Sequence, residues 1–172
     1  EVDLLINKYD DKLRKKNDMI AQILILEDII RELIGIENIT IALIGNAKMD
    51  IPTQSRSVPL DFEHGGILQE PYHTKVSHSI KNARMASVYR KNIDNPSNKK
   101  IKDVLSIPIS DKQDNVYMVI QLASDKEYDK IFSSADTDLI MELFEKSDFE
   151  KIISESKEEE KTQTLESEKE LI

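Results

Sequence analysis

The sequence predicts an α+β domain built around a mainly antiparallel sheet. Its apolar, β-branched segments are joined by a hairpin turn and by irregular loops, whereas a parallel sheet would need regular crossover helices. Helical periodicity is strongest in two segments towards the ends of the chain. The 172 residues, of which 39% are hydrophobic, are enough for one compact core. We therefore expect one domain with helices at its ends and strands in its middle.

The first predicted element is a long helix over 10–34. This stretch contains no glycine or proline, and its apolar residues recur with the 4-3-4-3 spacing of a helical seam. The seam residues are Met19, Ile23, Leu26, Ile30 and Leu33. Further isoleucines and leucines widen the apolar face, which indicates packing against both the domain and a partner. Gly35 stands where a left-handed residue commonly ends a helix.

The next segments predict a strand, a loop, a short helix and a second strand. Residues 39–45 are apolar or β-branched at nearly every position, which is typical of a central strand covered on both faces. Residues 46–64 contain two prolines and a polar run, so we expect a long loop with at most a short edge strand. A short helix is predicted over 67–74, and the alternation over 76–80 predicts a half-buried strand.

The second half of the chain predicts a hairpin and a closing helix. A polar connector over 92–100 leads to strands at 104–109 and 116–122, and turn-forming residues between the strands favour an antiparallel hairpin. The last helix is predicted to begin near 133–134, where a serine cap is followed by acidic residues. From 154 onward charged residues dominate, which fits either a solvated helix or disorder.

Composition excludes several classes of binding. A net charge of −9 repels nucleic acid and anionic lipid, and the basic stretches 12–16 and 99–102 lack interleaved aromatic residues. We therefore expect neither a nucleic-acid nor a membrane partner. The absence of cysteine removes disulfides, thiolate metal sites and thioether-linked groups, so no covalently bound cofactor is expected. The four glycines form neither a dinucleotide-binding nor a P-loop motif.

Residue types that could carry catalysis or a metal lack the necessary spacing. His64, His73 and His78 include no pair at the spacing of a helical metal site, so we expect no metal. There is no GxSxG nucleophile motif, and Ser77 and Ser79 alternate across a strand from His78. A hydrolase or transferase thus has no motif behind it, and we expect that the chain is not an enzyme.

The ends of the chain suggest a piece of a larger protein. The first residue is Glu1, no charged-then-apolar leader follows it, and no apolar stretch approaches the roughly 18 residues of a membrane helix. We expect a cytoplasmic protein. Three parts are predicted, an N-terminal linking or dimerising helix over 1–35, a domain over 36–146 and an acidic C-terminal helix or tail over 147–172.

Five segments together resemble a GAF domain. They are 58–68 (VPLDFEHGGIL), 72–76 (YHTKV), 79–83 (SIKNA), 102–111 (KDVLSIPISD) and 116–122 (VYMVIQL). The resemblance covers roughly 36–146. It implies a sheet of five to six strands, with the N- and C-terminal helices on one face and loops and short helices on the other.

A further match lies between the last strand and the last helix. Lys126, Phe132 and Asp136 match the lysine, phenylalanine and first acid of a motif in the GAF domains of cyclic-nucleotide phosphodiesterases. Asp125 and Thr137 depart from the asparagine and glutamate of that motif. The resemblance implies a structural ion pair between Lys126 and Asp136, with Phe132 in the core.

The resemblance also implies a function. GAF domains generally bind a small molecule between the sheet and the loops on one face and dimerise through their terminal helices. We therefore expect a non-catalytic regulatory domain of a larger signalling protein, with a cyclic nucleotide or another small molecule as ligand. A homodimer through the helical seam defined above is expected, within a possible larger assembly. The reductase branch of the family uses cysteines, which this chain lacks.

The implied pocket would be walled by Ile41, Leu43, the loop 46–62, the strand around Ser77 and Ser79, and the segment 82–89. The candidate ligand-binding residues are Arg84, Arg90, Ser77, Ser79, Asn82 and Tyr89. The two arginines are the natural cations for an anionic ligand, with Arg84 placed first.

A second hypothesis is a degenerate GAF fold that binds no ligand and serves as a structural or protein-interaction module. Gln69, Tyr117 and Met118 stand where the family often has glycine, and these departures and the charged ends favour this alternative. The long polar loop favours the sensor.

Overall fold

The computed structural model describes residues 1–15, 18–125, 130–151, 154 and 165–166. The helices are α1 (Val2–Lys15), α2 (Met19–Ile34), α3 (Gly66–Thr74), α4 (Lys91–Asp94) and α5 (Ser134–Lys146). The strands are β1 (Asn38–Ile44), β2 (Lys48–Ile51), β3 (Arg56–Pro59), β4 (His78–Ile80), β5 (Ile101–Ser110) and β6 (Val116–Asp125). Single 3-10 turns lie at Pro52–Gln54 and Ala83–Met85.

The strands form one antiparallel sheet in the order β3-β2-β1-β6-β5-β4. The hairpin of β5 and β6 supplies its centre, and β1 pairs with β6 along most of its length. The prediction of an α+β fold with a mainly antiparallel sheet is confirmed.

The sheet has two different faces because side chains alternate along each strand. One face packs against α1, α2 and α5 in a large apolar cluster that contains, from the sheet, Ile41, Leu43, Leu105, Ile107, Ile109, Met118, Ile120 and Leu122. The opposite face lies under α3 and α4 and is built from smaller clusters. The large cluster also contains Val2 of α1 and Phe149, so the core extends on both sides of 36–146.

The long helix predicted over 10–34 is divided in two. α2 begins only at Met19, because Asp18 has extended backbone and its side chain accepts a hydrogen bond from the N–H of Ile20 at 3.0 Å. α1 extends back to Val2, which the sequence did not predict. The predicted end of the helix is confirmed, since Gly35 is left-handed at φ 74° and its N–H donates to the carbonyl of Arg31.

The seam predicted as a dimer contact lies inside the chain. Ile23, Leu26 and Ile30 are 0% exposed and Leu33 is buried, all in the cluster between α2 and the sheet, with Met19 partly buried beside them. Assigning these residues to a partner surface was therefore wrong. Their spacing reports a buried helix face, and periodicity alone does not say which surface covers that face.

The loop predicted over 46–64 contains two strands, so that prediction was wrong. β2 and β3 form an antiparallel pair at the edge of the sheet, with Met49 and Ile51 of β2 buried. The turns that bound β2 place Ala47 at φ 57° and Ser55 at φ 50°. The left-handed positions are held by alanine and serine, which seldom adopt this conformation, although Gly45 and Asn46 stand before Ala47 in the first turn.

The remaining elements agree with the sequence. α3, β4, β5, β6 and α5 all occur where they were predicted, with Ser133 as the residue before α5. The connector 92–100 includes the last residues of the one-turn helix α4. The acidic tail falls largely outside the described residues. Within the described part of the chain, no helix combines the length and the apolar character needed to cross a membrane.

Candidate functional site

The sheet face under α3 is more polar than the opposite face, and its apolar clusters are smaller. The centre of this face carries Thr40 and Ala42 from β1, Gln121 from β6 and Ser106 from β5, because cross-strand partners share a face. β4 contributes His78, the partner of Ser106. We call this surface the α3 face.

A carboxylate from a distant part of the chain caps the N-terminus of α3. Asp94 accepts hydrogen bonds from the N–H groups of Ile67 and Leu68, each at 2.9 Å. It also accepts one from the N–H of Arg90 at 2.8 Å. We call these three N–H groups the cradle. The first residue of α3, Gly66, has φ +71°, and a Cβ there would lie 2.7 Å from the carboxylate oxygens, so glycine permits this close approach.

Arg56 fixes the segment that carries Asp94. Its guanidinium donates to the carbonyl of Ile93 at 2.8 Å and to that of Asn92 at 3.3 Å. It also donates to the Oε1 of Gln54 at 2.7 Å. Arg56 therefore ties α4 to the edge strand β3 and to the 3-10 turn before it.

Two buried polar atoms on the α3 face have no hydrogen-bond partner among the described residues. They are the Oγ of Ser106, which is 0% exposed, and the Oε1 of Gln121, which is 4% exposed. The other end of the Gln121 amide donates to the carbonyl of Asp94 at 3.0 Å. Such orphaned atoms are uncommon in buried positions and point to a water or a ligand.

A small cavity of about 40 Å³ is lined in part by Gln121. Its lining includes Thr40, Gln54, Asp94, Asn95, Lys99 and Gln121. A volume of this size holds about two or three water molecules, whereas drug-sized ligands occupy roughly 300–1,000 Å³. A second hollow, of about 310 Å³, is lined by Gly35, Asp125 and Lys130 among others.

Burial acts on two carboxylates near this face. Burial raises the pKa of Asp94, and the hydrogen bonds from the cradle and the charge of Arg56 oppose that rise in part. Burial also raises the pKa of Glu27 on α2, which accepts a hydrogen bond from the Oγ1 of Thr53 at 3.4 Å and lies 3.8 Å from Arg31. Each carboxylate joins two parts of the fold: Asp94 joins α4 to α3, and Glu27 joins α2 to the 3-10 turn that contains Thr53.

The structure brings only part of the predicted ligand set to this site. Arg90 contributes its N–H to the cradle, but its guanidinium donates to the carbonyls of Ser87 and Tyr89. The hydroxyl of Tyr89 is buried without a partner in the described structure. Arg84 is exposed and donates to Asn98, and Asn82 is exposed in a left-handed turn.

The other predicted wall residues lie elsewhere. Ile41 and Leu43 belong to the cluster under α1, α2 and α5, so their neighbours Thr40 and Ala42 face the site instead. Ser77 and Ser79 are exposed. Ser79 pairs with Leu105 and so lies on the side of the sheet that α1, α2 and α5 cover. The assignments of Ile41, Leu43 and Ser79 are each shifted by one residue, which in a strand selects the opposite face.

Asp136 forms an ion pair at the start of α5. Lys126 lies outside the described residues, and Lys130 places its Nζ 3.0 Å from Asp136. Asp136 also accepts a hydrogen bond from the N–H of Ser133 at the start of α5. Phe132 is partly buried against the large apolar cluster. This arrangement fixes the entry to α5.

The arrangement of elements is shared with solved structures. A GAF domain from an Acinetobacter phosphoenolpyruvate-protein phosphotransferase has a TM-score of 0.65 at 10% identity, covering 93% of this chain and 95% of that one. The GAF domain of the corresponding Coxiella burnetii protein has a TM-score of 0.65 at 7% identity, covering 96% of each chain. The fold is that of a GAF domain. At sequence level no family model and no curated protein matches the chain.

The same comparison corrects the expectation that the chain is not an enzyme. A free methionine-R-sulfoxide reductase from Neisseria meningitidis, solved with its substrate, has a TM-score of 0.65 at 12% identity and covers 90% of this chain and 89% of its own. Since this GAF fold carries catalysis in that protein, the fold gives no ground for calling the present chain non-catalytic.

Sequence reasoning missed the residues that define the site. Asp94 was placed in a connector, and Gln121 and Ser106 were taken only as strand residues. A polar residue at an inward position of a buried strand was the available signal for the last two. Among the described residues no group of three or more metal-ligating side chains is assembled.

Proposed function

We propose that this chain is a regulatory GAF domain of a larger signalling protein, which binds a small polar molecule on the α3 face. The observation that carries this proposal is the orphaned Oε1 of Gln121, which lines the cavity, together with the orphaned Oγ of Ser106, its cross-strand partner. A ligand with hydrogen-bond donors would satisfy both, and buried polar atoms without partners are costly enough to reward such binding.

The conformation described here is closed around this site. A cavity of about 40 Å³ has no room for a cyclic nucleotide, so a ligand of that size needs the segment from Arg90 to Ile101 to move. That segment is held by Arg56 and by the cradle. Ligand binding and movement of this segment are therefore coupled in our proposal.

A series of contacts connects the site with the helices. Arg56 holds the carbonyls of α4 and the side chain of Gln54, and the neighbouring Thr53 donates to Glu27 of α2. A shift of α4 would change these contacts, and this supports α2 as the element that passes the change on. The coupling is measurable as the interaction energy of an Arg56–Glu27 double-mutant cycle.

A homodimer remains part of the proposal, with its contact moved to another face of α2. Ile20 and Leu24 lie one turn apart on α2 and are 43% and 47% exposed. They are the large apolar side chains that α2 leaves uncovered within the described structure. A second copy covering them would place α2 at a subunit interface.

Thermal-shift measurements and native mass spectrometry with a metabolite panel test the binding. The panel contains cyclic nucleotides, amino acids and short carboxylic acids. A true ligand at a hundredfold excess over its dissociation constant stabilises the protein by about 2.7 kcal/mol. Gln121→Leu should abolish that shift, whereas Gln113→Leu on the exposed hairpin turn should keep it. A hit that both variants retain would contradict the site.

The second candidate is a GAF-fold interaction module that binds no ligand. The contact that favours it is Asp94, whose carboxylate fills the N-terminus of α3 from within the chain. Absence of any bound mass and of any shift across the panel would favour this candidate over the sensor.

A further inference from the structure

The cradle has the features of a site for a carboxylate. Its N–H groups come from two segments, the start of α3 and the residue before α4, and all three point at the same two oxygens. The positive end of the α3 dipole adds to them, and Gly66 leaves the space that an oxyanion needs. The occupant in this structure is the side chain of Asp94, which is 6% exposed.

We propose that the cradle is a carboxylate-binding site in which Asp94 is the built-in occupant, and that an external ligand enters by placing its own carboxylate there in exchange for Asp94. This rests on the proposed function, and it names the chemical class of the ligand. Asp94 then competes with the ligand and holds the site closed while no ligand is present.

A second observation, at the residue that fills the cradle, points to a ligand. Gln121 is only 4% exposed. Its amide nitrogen donates to the carbonyl of Asp94, and the residue lines the small cavity. Its Oε1 has no partner in the described part of the chain, although the Nε2 of the same amide donates to the carbonyl of Asp94. The built-in occupant therefore satisfies the donors of the site and leaves an acceptor free. A ligand with a carboxylate and a neighbouring donor group would satisfy both.

The exchange has a defined consequence for the fold. Asp94 is bound through its side chain to α3 and through its carbonyl to Gln121. Releasing the carboxylate frees the last residue of α4, and Arg56 holds the two residues before it. The ligand thus acts on the same contacts that lead to Glu27 and α2.

Chemical rescue tests this inference with acetate as the probe. The full chain is compared as wild type, Asp94→Ala and Asp94→Asn, in acetate, in acetamide and in chloride at equal ionic strength. In Asp94→Ala the cradle is empty, and acetate should raise the thermal midpoint by about 2 °C or more over chloride. Acetamide should not, because it brings no charge. Wild type and Asp94→Asn should show no acetate-specific shift, because a side chain still occupies the cradle.

The location of the bound acetate is checked by NMR. The amide resonances of Ile67, Leu68 and Arg90 should move together as acetate is added to Asp94→Ala. An equal acetate shift in all three proteins, or no shift in Asp94→Ala, overturns the inference.

Should Asp94→Ala be unfolded in chloride, recovery of its far-UV spectrum in acetate but not in acetamide supports the proposal. Failure to recover while Asp94→Asn is folded contradicts it. The outcome is independent of the metabolite panel. Acetate rescue together with a silent panel would leave the cradle assignment standing and remove the sensing function.

Discussion

Two buried serines on neighbouring strands offer a sharp test of the site. Ser106 on β5 is 0% exposed, and its hydroxyl has no partner among the described residues. Ser124 on β6 is 1% exposed, accepts a hydrogen bond from the N–H of Asp103 at 2.9 Å and donates to the carbonyl of Asp103 at 3.4 Å. Replacing each by alanine removes the same atom from a similar depth, so the two changes differ in hydrogen bonding alone.

The expected effects have opposite signs. Burying a hydroxyl without a partner costs about 1–3 kcal/mol, so Ser106→Ala should raise the free energy of unfolding by about 1 kcal/mol. Ser124→Ala breaks two hydrogen bonds and should lower it by about 1–2 kcal/mol. For a chain of this length each kcal/mol corresponds to roughly 2–4 °C in the thermal midpoint. The two variants should therefore lie on opposite sides of wild type.

Urea unfolding followed by circular dichroism measures both changes, and the slope of the transition shows whether the unfolded state is altered. If Ser106→Ala is destabilised as much as Ser124→Ala, the Ser106 hydroxyl has a partner in solution, and the argument from an orphaned atom fails for the free protein. With a genuine panel ligand present, the order should reverse, since Ser106→Ala then loses a contact to that ligand.

Three further predictions follow from the helices. Ile30→Ala should lower the free energy of unfolding by about 3 kcal/mol in urea unfolding, because Ile30 is 0% exposed in the core. An unchanged free energy of unfolding would contradict the burial of Ile30. Joint replacement of Ile20 and Leu24 by Asp should leave the fold intact by circular dichroism and yield a monomer by light scattering, and an unchanged dimer would refute that contact. Burial raises the pKa of Glu27, so the folded state favours its protonated form. The unfolding free energy of wild type relative to Glu27→Gln should thus fall as the pH rises through that raised pKa; a difference that stays constant with pH would contradict the burial.

Prediction from sequence succeeded where local chemistry decides the structure. Gly35 ends α2 because the left-handed conformation suits glycine, and Ser133 precedes α5 as expected. The hairpin of β5 and β6 follows from its turn residues and from apolar strands too short and too β-branched for helices. The strands β2 and β3 were missed because each has only four residues and Pro52 and Pro59 favoured a loop, although Gly45 and Asn46 stand in the turn between β1 and β2.

The site was harder to predict than the fold. A strand position such as Ser79 or Ile41 points to one face or the other according to register, and a shift of one residue exchanges the faces. Asp94 and the α3 N–H groups it binds are separated by 26 and 27 residues in the chain. No pattern of spacing indicates such a contact, because it depends on how α4 lies across α3.

The sequence by itself determined the class of the fold, the last residue of α2, the start of α5 and the absence of thiol chemistry, since each of these depends on residues that are neighbours in the chain or on composition. Only the tertiary structure decided which apolar seam is internal, which face of the sheet is polar, and which carboxylate fills the start of α3. The physical reason is that burial and hydrogen-bond satisfaction are properties of surfaces in contact, and those surfaces are formed by segments far apart in the sequence.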